Sequence, residues 1–96
     1  MKLVQVGLVG KPHGFRGEFL LSKRAAEGDL PEEIDTVYIG TSPDDAAPFK
    51  ILDTTAMPKG LRLKLEGFES DTFVKDHSGK SVFVPRELFP ETEEGE

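Results

Sequence analysis

Eleven residues, Val9-Gly10-Lys11-Pro12-His13-Gly14-Phe15-Arg16-Gly17-Glu18-Phe19, constrain this chain more than any other stretch. They hold three glycines, one proline, two permanent cations and a histidine. Upstream, Val4, Val6 and Leu8 alternate with Gln5 and Gly7; downstream, Phe19 and Leu21 alternate with Glu18, Leu20 and Ser22. A period of two belongs to a strand with one covered face. Gly14 and Gly17 are free to take the positive φ that a tight reversal demands. The stretch therefore predicts a β-hairpin at the start of the chain, its connection shaped by Gly10, Pro12, Gly14 and Gly17. A reversal does not need lysine, histidine and arginine at its tip. Lys11, His13 and Arg16 are thus candidate contacts for something anionic.

The remaining pattern is also mostly strand. Ala25 to Asp35 is polar and acidic and predicts an irregular connection, with room for one helical turn at 31–33. Thr36-Val37-Tyr38-Ile39 is β-branched and aromatic and predicts a third strand ended by Gly40. Phe49 to Thr55 predicts a fourth, and Met57-Pro58-Lys59-Gly60 a turn. Leu61-Arg62-Leu63-Lys64-Leu65-Glu66 alternates without a fault and predicts a fifth, half-buried strand. Ser70 is placed to cap a short helix from Asp71 to about His77, with Phe73 and Val74 facing the sheet and Gly79 as its stop. Ser81 to Val84 predicts a sixth strand that Pro85 ends. Six short strands joined by turn chemistry, with one helix before the last, predict a mostly β fold: a small six-stranded antiparallel β-barrel, whose closure removes exposed edges.

Composition narrows the function classes. At 96 residues the chain fits one domain that buries roughly two-thirds of the surface its unfolded form exposes. Cysteine is absent, which excludes disulfides and thiolate metal sites and suits a reducing cytoplasm. No apolar run approaches the roughly 18 residues of a membrane span and no secretory leader is visible, so a soluble cytoplasmic protein without a membrane partner is expected. The net charge of −6 is unevenly spread. Residues 1–24 hold five bases against one acid, a net of +4; residues 25–96 hold seven against seventeen, a net of −10. A basic hairpin on an acidic domain can touch RNA locally without coating it.

Catalysis finds little support. Gly-x-Ser-x-Gly is missing, and Gly7 to Pro12 lacks the spacing and the hydroxyl residue of a phosphate loop. His13 and His77 lack histidine partners at i+3 or i+4, so neither a metal nor another cofactor is expected, and the chain reads as a non-enzyme. His13 either orders the turn or meets a base or phosphate. Arg16 either contacts a partner or forms a salt bridge with Glu18. Phe15 either plugs the barrel's end or offers a stacking surface. His77 suits the negative end of its helix, and Lys59, Arg62 and Lys64 suit a solvated strand face.

The stretch Val9 to Glu18 resembles the opening signature of the ribosome maturation factor RimM family. Leu63-Lys64-Leu65-Glu66-Gly67-Phe68, the following helix and Val82-Phe83-Val84-Pro85-Arg86 resemble its strand–helix–strand ending. Glu87-Leu88-Phe89-Pro90 and the glutamates after it resemble its bridge to a second domain. The resemblance implies a barrel like those of translation factors at 1–86, and an acidic linker at 87–96 toward a PRC-type barrel that is absent here. It also implies a non-catalytic assembly factor that binds the immature 30S subunit rather than 70S ribosomes and assists maturation of the head and of 16S rRNA. The implied partners are a head protein, the one numbered nineteen, met mainly through the absent half, with 16S rRNA as a further candidate. Two rivals stand beside that reading. One is a barrel that contacts only ribosomal protein, without RNA; the other is a flavin- or nucleotide-binding barrel.

Overall fold

Alternating apolar residues build a ring of strands around a core of valine, leucine and phenylalanine. The computed structural model describes residues 2–14, 16–24, 30, 34–58 and 60–88 of the 96. Its strands are β1 (Leu3–Pro12), β2 (Phe19–Ser22), β3 (Thr36–Gly40), β4 (Ala47–Met57), β5 (Gly60–Leu65) and β6 (Ser81–Pro85). Helix α1 (Asp71–His77) precedes β6, and one 3-10 turn (Arg86–Leu88) follows it. The six strands close into a barrel in the order β1-β2-β5-β4-β3-β6, every neighbour antiparallel. The expected fold class is the one observed. The helical turn expected at 31–33, the plug or stacking role of Phe15 and the surface place of Lys59 lie outside the described residues.

One detail of the first strand departs from its sequence pattern. Gln5 pairs with Phe83 but Gly7 with Val82, so Val6 is an extra residue, a β-bulge. Beyond a bulge the inward phase of a strand shifts by one. Val6 and Val9 are therefore the buried pair, at 0% and 2% exposure, while Val4 and Leu8 stay half-buried. Gly7 makes the bulge feasible. Its φ is +154°, and a Cβ there would lie 2.1 Å from the Ser22 carbonyl oxygen.

Phe68, fully buried just after β5, organises the core at the helix end. Its ring lies 5.4 Å from Phe19, 5.0 Å from Phe49, 4.7 Å from Phe73 and 5.2 Å from His77, centroid to centroid. Edge-on and tilted aromatic packing at such separations adds to the burial itself, which is about 1.5–3 kcal/mol for a large side chain. The helix forms as expected: Ser70 Oγ accepts from the Phe73 N–H at 3.1 Å, and Val74 is the buried contact. Ser78 closes it by donating to Lys75, and Gly79 follows at φ +86°. Its exit is tied to β1, because Gly79 donates to the Val9 carbonyl and the Val9 N–H to the Lys80 carbonyl, both at 2.8 Å. His77 does more than sit at the helix's negative end. Its ring packs 4.5 Å from Phe73, and Nδ1 donates to the Phe73 carbonyl at 2.9 Å.

Candidate functional site

β1 runs on through Pro12, so the connection to β2 shrinks to residues 13–18. The His13 N–H closes it by donating to the Glu18 carbonyl at 2.8 Å. Gly14 and Gly17 both take the left-handed region, at φ +93° and +92°. They differ in surroundings. Among the described residues, its chain neighbours aside, nothing lies within 4 Å of a Cβ at Gly14, whereas one at Gly17 would sit 2.0 Å from the Phe68 carbonyl oxygen and 2.6 Å from the Glu69 nitrogen. Gly17 is therefore where the loop lies flat on the backbone after β5. Lys64 fastens that contact: its Nζ donates to the Arg16 carbonyl and, at 2.6 Å, to the Phe68 carbonyl.

Strand alternation puts Lys64 on a solvated face. Instead it is half-buried, a clamp between two segments distant in sequence. Arg62 on the same strand is also engaged, with its Nε 3.7 Å from a Glu18 carboxylate oxygen and its Nη2 donating to the Thr55 hydroxyl at 3.3 Å. Glu18 thus faces Arg62 and does not form the alternative ion pair with Arg16. The Arg16 guanidinium is exposed, with no hydrogen-bond or ionic partner among the described residues. The backbone of Arg16 is thus held by Lys64 while its side chain is exposed.

The three cationic or titratable candidates do not converge. His13 and Arg16, with Gly14 and Glu18, line a shallow open depression of about 370 Å³ at the loop. Lys11 lines a different groove, beside Lys23 and Arg24 at the end of β2. In the sequence, Lys23 and Arg24 are visible only as part of a basic N-terminal segment. What joins them to Lys11 is the register of β1 on β2, with Leu8 opposite Ser22 and Val9 opposite Leu21. Gly10 keeps that pairing close, because a Cβ there would lie 2.4 Å from the Leu20 carbonyl oxygen. No group of three His, Cys, Asp or Glu side chains suited to a metal lies among the described residues, and no described helix is long and apolar enough to cross a membrane.

The family model of the RimM N-terminal domain matches residues 4–89. The chain belongs to the RimM N-terminal domain family. It is 30% identical over 95 residues to the ribosome maturation factor RimM of Oleidesulfovibrio alaskensis, covering 99% of this chain and 53% of that protein. Identity to the ribosome maturation factor RimM of Geobacter metallireducens is also 30% over 95 residues, covering 98% and 54%. The chain spans about half the length of the curated relatives it matches. Among solved structures, the RimM N-terminal domain of Thermus thermophilus superimposes with a TM-score of 0.72 at 21% identity, over 97% of this chain and 100% of that one. The 16S ribosomal RNA processing protein RimM of Pseudomonas aeruginosa gives 0.73 at 17% identity, over 93% of this chain and 54% of that one. Those two likenesses establish the barrel. The RimM family match covers both the loop between β1 and β2 and the clamp residue Lys64.

Proposed function

We propose that this chain is the N-terminal, non-catalytic domain of a cytoplasmic ribosome assembly factor, which binds the immature small subunit and assists maturation of its head and of 16S rRNA. Membership of the RimM family and relatives named ribosome maturation factors support the reading. Coverage of about half of each relative supports a two-domain factor in which this barrel occupies 1–86 and an acidic linker 87–96. The observation that carries the choice of contact site is Arg16. Its backbone is clamped by Lys64 and its guanidinium is unpaired among the described residues. His13 sits beside it in the same depression, and Lys11 contributes from the neighbouring groove.

A loop fastened at the Arg16 carbonyl, with a guanidinium unpaired among the described residues, can fork onto a phosphate or a carboxylate at a reduced cost in conformational entropy. Few cations release few counterions, so the barrel alone binds weakly, with a dissociation constant of about 10⁻⁴–10⁻⁶ M. Linkage to a second domain then raises avidity. Such weak, modular docking suits a factor that must leave when maturation is complete. The head protein numbered nineteen is the candidate protein partner, mainly through the second domain, with 16S rRNA as the candidate nucleic acid.

The test is sedimentation of the tagged protein through gradients of subunits from growing cells. Co-migration with immature small subunits, and absence from mature 70S ribosomes, is expected. Equal binding to both, or to neither, would overturn the proposal.

A further inference from the structure

Three basic side chains compete for the carboxylate of Glu18, and the structure gives it to Arg62. Extended by one residue past the Phe19–Leu63 pair, the register of β2 on β5 sets Glu18 opposite Lys64. Lys64 is already engaged, because its Nζ donates to the Arg16 and Phe68 carbonyls. Arg16 is two positions from Glu18 in sequence and lines the same depression. Yet the Glu18 carboxylate lies 3.7 Å from Arg62 Nε, and Arg62 is steadied in turn by the Thr55 hydroxyl, which accepts from its Nη2 at 3.3 Å. Glu18 is the only acid among the described residues that line the depression. We propose that Arg62 is a positioning residue for the docking site: by holding the Glu18 carboxylate, it keeps the Arg16 guanidinium available to an anionic partner. The inference rests on the reading of Arg16 as a docking residue.

The physics is competition. A carboxylate of the loop itself satisfies the same forked donors that a phosphate or a partner's carboxylate would use. Apparent affinity falls with the fraction of molecules whose donors are already occupied. An exposed ion pair is weak, so the factor at stake is about threefold to fivefold. Arg62 is the better holder of Glu18 for two reasons. Its side chain and that of Glu18 are only 28% and 25% exposed, and partly covered charges are screened less than exposed ones such as Arg16. Its backbone is also fixed within the sheet, paired with Leu20 of β2 and Thr55 of β4, whereas Arg16 stands on a loop. The sequence alone leaves Arg62 as one more lysine-like charge on a strand face; the diagonal contact across β2 and β5 gives it its task.

The experiment is a co-sedimentation titration with immature small subunits, read as apparent affinity at a temperature where thermal melts show every variant folded. Arg62→Met is introduced into the parent protein and into Glu18→Gln. In the parent it should weaken binding by about threefold to fivefold. In the Glu18→Gln background it should change affinity by less than about twofold, because no carboxylate is released onto Arg16. Arg62→Gln should give the same pattern if Arg62→Met is poorly folded. Arg16→Ala alone should weaken binding more than Arg62→Met does. An Arg62 that only stabilised the barrel would lower the melting temperature and leave the affinity of the folded protein unchanged. One that touched the partner itself would weaken binding equally in both backgrounds. Either of those results would overturn the inference while leaving the docking reading in place. Binding by Arg16→Ala equal to that of the parent would overturn the docking reading, and this inference with it.

Discussion

At the scale of single residues, the loop between β1 and β2 separates two glycines that look alike in sequence. Gly14 and Gly17 have nearly the same φ, so any L side chain incurs a similar backbone strain of about 1–2 kcal/mol at either. Only Gly17 also meets the Phe68 backbone. Urea denaturation should show Gly17→Ala at least about 2 kcal/mol more destabilising than Gly14→Ala, because main chain cannot move aside as a side chain can. Lys64→Met should cost about 1–3 kcal/mol, since it leaves the Arg16 and Phe68 carbonyls without their donor. Faster amide exchange at His13 should accompany it, as that N–H closes the same loop. The loop itself was legible because glycine, proline and surplus cations leave a local signature. Lys64 was not, because its role depends on a β2–β5 pairing that sets Phe19 opposite Leu63. Alternation places a lysine on the outer face of a strand, but not against a loop 48 residues away.

At the scale of elements, the helix was the easiest to read and the first strand the hardest. Ser70, Asp71 and Gly79 carry their meaning locally, as cap, first-turn acid and stop. Ser70→Ala should lower stability by about 1 kcal/mol and Ser70→Asp should restore most of it, both read by thermal melts. The bulge at Val6 was hidden because a run of alternating residues does not announce where one is inserted. Only the partner strand defines it. The short link between β3 and β4 adds a titratable element. Asp45 accepts from the Thr41 hydroxyl and from the Ser42 N–H, and these hydrogen bonds hold its carboxyl below the ordinary value of 3.8. A folded-state value below the unfolded one gives stability that is present above the unfolded value and is lost as pH falls through the folded one. Asp45→Asn should therefore flatten the fall of Tm with pH below about 4, and Thr41→Val should flatten it partly. Parallel acid limbs in all three proteins would contradict that assignment.

At the scale of the whole molecule, the division of charge along the sequence becomes a division of surface. The basic first quarter of the chain supplies a clamped loop with an outward arginine and, at the end of β2, a separate groove in which Lys11 lies beside Lys23 and Arg24. Barrel closure was readable from the number and spacing of strands, because six strands in one small domain leave exposed edges unless they join. How the basic residues group was not readable. Lys11 and His13 are two positions apart yet line different surfaces, since the irregular pairing between Val9 and Pro12 turns the chain as it leaves the sheet.

The most direct measurement is co-sedimentation of a His13→Ala/Arg16→Ala variant with immature small subunits, beside the parent protein and with its melting temperature shown to be unchanged. Loss of about tenfold or more in bound fraction at limiting protein is the predicted result, because the depression would keep its shape and lose its donors. Binding equal to that of the parent would contradict the loop as the docking site and return His13 and Arg16 to the architecture of the turn.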